Sequence, residues 1–288
     1  MKLKGRRALV TGANMGLGLA IAKAYAREGA DLVIAARGLE ALEAQAPGLK
    51  SLGAASVLAR RLDVSDQGAV RALAAELGVQ GPLHVLVNNA GVYGPKGPLE
   101  ESAGEAWEET LRINVLGVVW MCAAFHPLLK LAGGAQVINL SGGGATAPLP
   151  GLSAYAASKA AVVRLTETLA IEWAGDGISV NAVAPGALNT RLLDEVLEAG
   201  PAKVGQAFYE KSLKQKQEGG TPLELGAELC LWLATPEAQG ISGRLLSAVW
   251  DPWKEGLAQR KEQLAQGDIY TLRRIVPKDR GLDWGGPL

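Results

Sequence analysis

The stretch that decides the fold is residues 8–18, Ala-Leu-Val-Thr-Gly-Ala-Asn-Met-Gly-Leu-Gly, an apolar run that ends in three glycines. Residues 17–27 continue it with the pattern of a helix. Glycines between a strand and a helix allow a tight turn and let a pyrophosphate approach the backbone N–H groups at the helix N-terminus. The stretch therefore predicts a strand, a glycine turn and a helix. Taken alone, it fits a plain tight turn as well as a phosphate site.

The same alternation of short β-rich runs and longer helical patterns continues as far as residue 183. Predicted strands lie at residues 8–10, 32–36, 57–62, 83–87, 136–140 and 178–183, and predicted helices at 17–27, 40–45, about 69–77, 105–131 and about 154–173. The strands are continuous apolar runs, as expected where both faces of a parallel sheet are buried. We therefore predict an α/β fold, a doubly wound parallel sheet with right-handed crossovers, as a single domain over residues 1–247. Residues 248–288 would form a C-terminal extension.

Composition and charge narrow the class of protein. The chain has 288 residues, of which 48% are hydrophobic and 20% charged, and this excludes a disordered or fibrous protein. Lys plus Arg and Asp plus Glu both count 29, so the net charge offers no basic field for nucleic acid or an anionic membrane. Cys122 and Cys230 lie in apolar surroundings without paired spacing, which predicts buried thiols rather than a disulfide or a zinc site.

The sequence also predicts a soluble, cytoplasmic protein. The basic residues 1–7 precede a short apolar strand and glycines, without a signal-peptide cleavage pattern. The longest plausible membrane span, residues 113–129, has 17 uncharged residues and is interrupted by Asn114, His126 and Pro127, whereas a membrane span needs about 20 mostly apolar residues. We therefore expect neither a membrane partner nor a nucleic-acid partner. His84 and His126 belong to no cluster with metal-ligand spacing, so no metal is predicted.

Further motifs follow the glycine turn in a fixed order along the chain. They are Asn88-Asn89-Ala90-Gly91 after the fourth strand, Asn114 in the next helix, Tyr155-Ala156-Ala157-Ser158-Lys159, and Pro185-Gly186 with Thr190 after the sixth strand. Each piece is weak alone, but the ordered set resembles the short-chain dehydrogenase/reductase (SDR) family over about residues 4–246. The resemblance implies a Rossmann-type domain that binds NAD or NADP and moves a hydride to or from a carbonyl carbon.

Tyr155 and Lys159 are four positions apart, which places both side chains on one face of a helix. An unperturbed tyrosine has a pKa of about 10, too high for efficient proton exchange near neutrality, and a nearby ammonium should lower it. An isolated pair at this spacing also fits a surface helix contact. By resemblance, Tyr155 exchanges the proton of the substrate oxygen, Lys159 also holds the nicotinamide ribose, and Asn114 supports a water that links Lys159 to solvent.

One position departs from the family pattern. The resemblance implies a serine thirteen residues before the tyrosine, donating a hydrogen bond to the substrate oxygen. Aligned without gaps, that position is Gly142, and Ser141 lies one residue early, which in a strand points the side chain to the other face. Either the glycine turn at residues 142–144 lets Ser141 or Thr146 reach the site, or the serine role is absent. Ser141 is kept as the candidate.

The residues at the end of the second predicted strand indicate which cofactor is bound. NAD enzymes place an acid there for the ribose 2′-OH, but here Ala36 takes its place and Arg37 follows. A guanidinium can bind a 2′-phosphate, which favours NADP with NAD still possible; a solvated arginine is the other interpretation. By resemblance, the cofactor would contact Gly12, Asn14, Met15, Gly16, Leu17, Gly18, Arg37, Asp63, Val64, Asn89, Ala90, Gly91, Tyr155, Lys159, Pro185, Gly186, Leu188 and Thr190.

The sequence thus predicts an oxidoreductase that transfers a hydride between NADP(H) and a small carbonyl or alcohol substrate. Two alternatives stay open: an NAD-linked alcohol or polyol dehydrogenase, and a catalytically impaired member acting as a nucleotide-binding or regulatory subunit, which Gly142 motivates. Residues 143–152 and 188–220 would select the substrate. The helical, polar segment 186–221 would cover the site.

The extension after residue 247 completes no further strand–helix unit. It holds Trp250, Trp253 and Trp284, three of the seven tryptophans, and such apolar surface gains stability only against a partner. We expect it to pack at least partly across a subunit interface, near the mouth of the active site. Packing against its own domain is the other possibility. Because SDR proteins commonly form dimers and tetramers, the resemblance implies a homodimer or homotetramer.

Overall fold

Seven parallel strands form one sheet in a computed structural model that describes residues 1–285. The strands are β1 (Arg7–Thr11), β2 (Asp31–Ala36), β3 (Ser56–Arg61), β4 (Val85–Asn88), β5 (Gln136–Leu140), β6 (Ser179–Ala184) and β7 (Leu245–Ser247). Their order across the sheet is β3-β2-β1-β4-β5-β6-β7. The chain therefore winds outward in both directions from β1 and β4, and the predicted doubly wound parallel sheet is confirmed.

Helices cover both faces of this sheet. They are α1 (Gly16–Arg27), α2 (Leu39–Ser51), α3 (Gln67–Gly78), α4 (Leu99–Ser102), α5 (Glu105–Leu111), α6 (Gly117–Leu131), α7 (Ser153–Glu172), α8 (Arg191–Ala199), α9 (Pro201–Val204), α10 (Gln206–Glu218), α11 (Leu223–Leu233) and α12 (Lys261–Gln266). One core lies between the sheet and α1, α2 and α11, and a second between the sheet and α3, α6 and α7. Both faces of the central strands are buried, which explains why their sequences are continuously apolar.

The helix predicted at residues 40–45 is longer in the structure, because α2 runs to Ser51 through Pro47. A proline inside a helix removes one backbone hydrogen bond. Leu42 and Leu49, both buried in the core, anchor the helix on either side of that proline. Tertiary packing therefore overrides the local stop signal.

Residues 105–131 are helical throughout, but α5 and α6 are joined by one turn of π-helix at Arg112–Leu116. This segment is long and apolar enough to cross a membrane by length and composition. Its side chains Met121, Phe125 and Leu129 are fully buried in the core against the sheet and α3. The π-turn places Asn114 inward, where it becomes buried, and such turns are frequent at functional sites.

The C-terminal extension folds back on its own domain. Trp253, Leu257 and Leu264 are buried in the same core as α1 and α11, and the Trp253 ring lies 6.3 Å from that of Trp232. Packing across a subunit interface stays a prediction for the rest of the extension, whereas these three residues pack on their own domain. The physical reason is that Trp232, on α11 beside the edge of the sheet, needs an apolar cover, and the chain's own extension supplies it.

One arginine holds the middle of the extension in place. Nη1 of Arg244 donates hydrogen bonds to the carbonyl oxygens of Gly267 and Ile269, each at 3.0 Å. The backbone N–H of Leu245, at the start of β7, donates to the carbonyl of Tyr270 at 2.8 Å. Trp250 and Trp284 remain largely exposed. The extension thus completes the sheet edge while leaving part of its apolar surface uncovered.

Candidate active site

The reversal of strand order between β1 and β4 opens a crevice at their carboxyl ends, which is where doubly wound folds bind ligands. The hydroxyl of Thr11 accepts hydrogen bonds from the backbone N–H groups of Asn89 and Ala90, at 2.9 and 3.1 Å. Nδ2 of Asn89 donates in return to the carbonyl of Thr11 at 2.9 Å. These bonds hold the ends of β1 and β4 at a fixed separation. The crevice is therefore preformed.

The glycine turn brings α1 unusually close to β1. A Cβ on Gly18 would lie 2.2 Å from the carbonyl oxygen of Gly12 and 2.5 Å from Nδ2 of Asn89. No side chain fits in that gap, so glycine is obligatory there. Met15 precedes α1 with extended backbone and an exposed side chain. Residues 16–18, the first of α1, line the crevice, and the N–H groups of a helix's first turn are the donors that a phosphate site uses.

The end of the crevice next to β2 and β3 carries one fixed carboxylate and one guanidinium without an ion-pair partner. Oδ1 of Asp63 accepts from the backbone N–H and the hydroxyl of Ser65, at 2.9 and 2.7 Å. Burial by itself raises the pKa of Asp63, but these bonds and the Arg37 charge hold it below its usual value. None of the ion pairs among residues 1–285 involves Arg37, which is exposed at the end of β2. Ala36, before it, is buried.

Tyr155 and Lys159 lie on the first turns of α7, at the base of the crevice. Nζ of Lys159 is 5.6 Å from the centroid of the Tyr155 ring and donates a 2.8 Å hydrogen bond to the carbonyl of Leu140. Burial lowers the pKa of Lys159 to about 8. An ammonium has three donors, so two remain after the bond to Leu140.

The pKa of Tyr155 moves opposite to the sequence-based prediction. Burial raises it, and the neighbouring Tyr93 raises it further. The predicted net lowering of the Tyr155 pKa by Lys159 is therefore wrong for this structure, because the phenol is shielded from water and burial favours its neutral form. At neutral pH Tyr155 is accordingly a proton donor here.

Asn114 lies behind the crevice and clamps the loop after β4. Its Oδ1 accepts from the backbone N–H of Val92 at 2.9 Å, and its Nδ2 donates to the Val92 carbonyl at 2.8 Å. Nδ2 also lies 3.0 Å from the hydroxyl of Ser158. A Cβ on Gly91 would lie 3.2 Å from the Asn114 Oδ1 and 3.7 Å from the Lys159 Nζ. Asn114 therefore fixes the backbone next to Lys159.

The position of the expected serine has an unusual geometry. A Cβ built on Gly142 would lie 2.6 Å from the hydroxyl oxygen of Tyr155. The phenol thus occupies the space that a side chain at residue 142 would take. The hydroxyl of Ser141 is buried and points to the carbonyl of Lys159 at 3.5 Å, not to Tyr155. Ser141 as a catalytic residue stays a prediction, and its geometry does not favour it.

A single cleft of about 1490 Å³ joins these features. Ser141 and every residue predicted to bind the cofactor line it, whereas Asn114 does not. Sequence reasoning missed Tyr93, an aromatic side chain of the wall. Tyr93 follows the Asn88–Gly91 motif by two residues, which could have identified it. Val196 and Phe208 also line the cleft and fall within residues 188–220, the segment expected to select the substrate, but no signal in the sequence singles them out there, because long-range packing brings them to the cleft.

The two histidines have structural partners. Nδ1 of His84 accepts from the backbone N–H of Arg7 at 3.1 Å, and Nε2 of His126 lies 2.8 Å from Oδ2 of Asp176. Within the described range 1–285, no group of three or more His, Cys, Asp or Glu side chains could hold a metal ion. Cys122 and Cys230 are buried free thiols.

Comparison with known proteins gives consistent matches. A family model described as short chain dehydrogenase matches residues 6–200. The short chain dehydrogenase mpl6 of Monascus purpureus is 36% identical over 281 residues, covering 96% of this chain and 90% of that protein. A galactitol 2-dehydrogenase (L-tagatose-forming) of Cereibacter sphaeroides is 36% identical over 250 residues, covering 85% and 94%. The structure of a gluconate 5-dehydrogenase from Burkholderia cenocepacia J2315, in complex with NADP and tartrate, has 30% identity and a TM-score of 0.74, covering 85% and 94%.

Proposed function

The chain belongs to the short-chain dehydrogenase family, and from that premise we propose that it transfers a hydride between NADP(H) and a secondary alcohol or ketone. The observation that carries the proposal is that the Tyr155 hydroxyl and the Lys159 ammonium lie at one end of a cleft whose other end is the glycine turn. That arrangement brings a proton donor and a phosphate-binding helix terminus to the two ends of one ligand site.

The residues present fit a bound dinucleotide. The close approach at Gly18 leaves the start of α1 open to the cleft, where its N–H groups would hold the pyrophosphate. Asp63 and Val64 would hold the adenine, and Lys159 would use its two remaining donors on the nicotinamide ribose. When bound, NADPH supplies the hydride and NADP accepts it.

Tyr155 would move the proton. Because burial keeps the phenol neutral, it can donate to the oxygen of a carbonyl substrate as the hydride arrives, and it takes the proton back in alcohol oxidation. The buried Lys159 ammonium beside the ring would stabilise the phenolate that forms. Asn114, by fixing Val92 and Gly91, would keep Lys159 in position.

Arg37 is the basis for preferring NADP. A strand-end carboxylate would repel a 2′-phosphate, and Ala36 supplies none. The Arg37 guanidinium has no competing ion pair within residues 1–285 and can bind the phosphate bidentately.

A variant that combines Ala36→Asp with Arg37→Ala should reverse this preference. Removing a charge-assisted bidentate contact, worth about 1.5–3 kcal/mol, should lower the affinity for NADP by about tenfold or more. The new carboxylate should at the same time strengthen NAD binding through the ribose 2′-OH. Fluorescence titration with NADP and NAD measures both changes. If the NADP affinity is equal before and after the substitutions, Arg37 is only a solvated side chain.

Substitutions at Gly142 should show what the missing side chain does. Because a Cβ would lie 2.6 Å from the Tyr155 hydroxyl, Gly142→Ala should push the phenol aside and lower kcat. Gly142→Ser displaces the phenol equally but returns a donor to the substrate oxygen, and such donors are worth about 10²-fold in rate. We expect kcat of the serine variant to exceed that of the alanine variant by about that factor. Equal values would mean that residue 142 does not reach the substrate oxygen.

A second candidate function is NAD-linked polyol oxidation. The observation that favours it is the 36% identity with a protein named galactitol 2-dehydrogenase. In this candidate function, Tyr155 and Lys159 of the present chain would keep their roles, but the cofactor would be NAD and the substrate would be more polar. The third possibility, a nucleotide-binding subunit without catalysis, is motivated by Gly142.

One experiment separates these functions. Trp250 lines the cleft, so nucleotide binding should change tryptophan fluorescence. Titration with NADPH, NADP, NADH and NAD, followed by assays with ketones and alcohols, tests binding and turnover separately. Binding with turnover of NADP(H) supports the proposal, and turnover with NAD alone supports the second candidate. Tight nucleotide binding without turnover of any alcohol or ketone would contradict both enzymatic functions.

A further inference from the structure

The part of the cleft next to Tyr155 is walled by apolar side chains. We call it the carbonyl pocket and define it by the five residues that line the cleft and also belong to one apolar cluster, Tyr93, Leu149, Tyr155, Val196 and Phe208. They come from three places in the chain: the loop after β4, the segment around the start of α7, and helices α8 and α10. The cluster continues behind the wall with Leu152 and Val204, both buried.

Tyr93 makes the closest ring contact with Tyr155. The two ring centroids are 4.5 Å apart and the ring planes are at 86°, an edge-to-face arrangement. Burial, with the nearby Glu195 charge, raises the pKa of Tyr93, so its hydroxyl is neutral. When the substrate oxygen accepts a hydrogen bond from the Tyr155 hydroxyl, the carbon that bears this oxygen would therefore have an aromatic ring as its neighbour rather than a charged group.

Several polar side chains of the covering helices are paired with other protein groups. Oδ1 of Asp194, a cleft-lining residue of α8, binds Nζ of Lys216 on α10 at 2.6 Å. Nε2 of Gln215 lies 3.2 Å from Oδ1 of Asn189. Each of these pairs would have to break before its members could bind substrate hydroxyl groups. A polyol with four or more hydroxyls would lose more hydrogen bonds to water than this wall returns.

We infer that the natural substrate carries an apolar substituent, an aryl ring or a branched or cyclic alkyl group, on the carbon that bears the reacting oxygen. Tyr93 and Phe208 select that substituent by contact with it. The inference rests on the proposed function, because it concerns the same proton donor and cleft, but it differs from what the polyol dehydrogenases among the relatives would suggest.

The substrate class is tested by comparing alcohols in one direction of reaction. With NADP, or with whichever nucleotide the titration identifies, kcat/KM is measured for 1-phenylethanol, 1-cyclohexylethanol and 2-butanol, and for galactitol and D-threitol. We expect kcat/KM for 1-phenylethanol or 1-cyclohexylethanol to exceed that for both polyols by about 10²-fold or more, since an apolar pocket disfavours even a single added hydroxyl by about 10²-fold. A polyol oxidised faster than the apolar alcohols would overturn the inference and leave the proposed function intact.

A pair of variants tests the wall itself. Phe208→Ala removes a ring that lines the carbonyl pocket, and Tyr209→Ala removes its neighbour on α10, which belongs to the same cluster but does not line the cleft. We expect Phe208→Ala to lower kcat/KM for 1-phenylethanol at least about tenfold while leaving 2-butanol and the nucleotide Kd within about twofold. Equal losses in both variants, or equal losses for both alcohols, would overturn the role of Phe208. No turnover of any alcohol, with nucleotide bound, would contradict the proposed function and the inference together.

Discussion

A Tyr155→Phe variant is expected to bind NADPH like the unmodified chain and to turn over substrate about 10³-fold or more slowly. The substitution keeps the aromatic ring that packs against Tyr93 and removes only the hydroxyl beside Gly142. A positioned general acid contributes about 10²–10⁴-fold to a rate, and the substitution removes the proton that the phenol would donate. Steady-state kinetics in both directions, with fluorescence titration of NADPH, measure the two effects.

The matched control is Tyr209→Phe. Tyr209 belongs to the same apolar cluster as Tyr155, but it does not line the cleft. Deleting its hydroxyl should leave kcat unchanged, which shows that the loss at Tyr155 does not come from general disturbance of the cluster. Near-normal turnover by Tyr155→Phe would show that the proton comes from elsewhere, and Thr146 or Ser141 would then have to be examined.

Gly18→Ala should have the largest effect on the fold of the nucleotide site. The new Cβ would lie 2.2 Å from the carbonyl oxygen of Gly12 and 2.5 Å from Nδ2 of Asn89. Neither group is the end of a flexible side chain that can simply swing away, because Gly12 O is backbone and Asn89 ties β4 to β1. Strand β1 and helix α1 must therefore separate. Overpacking of this kind costs about 1–3 kcal/mol or more of the free energy of unfolding, and the phosphate site should be lost with it.

Thermal unfolding and NADPH titration check this expectation, with Gly48→Ala as the control. Gly48 lies inside α2, and a Cβ there meets nothing within 4 Å. The same substitution should stabilise the chain at that position by about 1 kcal/mol, because alanine favours a helix. A lower melting temperature for Gly18→Ala together with a higher one for Gly48→Ala would show that Gly18 acts through close packing. An unchanged melting temperature and unchanged NADPH affinity for Gly18→Ala would contradict the packing argument.

The sequence by itself determined the elements whose signals are local. The apolar runs at β1, β2, β4, β5 and β6 mark buried parallel strands, because both faces of such strands exclude polar side chains. The glycine turn is readable because the close approach of α1 to β1 permits only hydrogen at Gly18. Tyr155 and Lys159 are readable as a pair because a spacing of four places them on one helix face. The match of residues 6–200 to the short chain dehydrogenase family agrees with that reading.

Other features exist only once distant segments are packed together. Tyr93, Val196 and Phe208 meet around Tyr155 although they lie on three separate segments, and no local pattern in the sequence encodes that meeting. The position of the extension depended on whether the core of its own domain could accommodate Trp253, and in the structure Trp253 is buried in that core. The direction of the pKa of Tyr155 was set by desolvation from all sides rather than by the lysine one turn away. The burial of a side chain depends on every segment that packs around it, and burial shifts its pKa. The short-range rules that identify a motif in a sequence therefore cannot give the pKa values of its side chains.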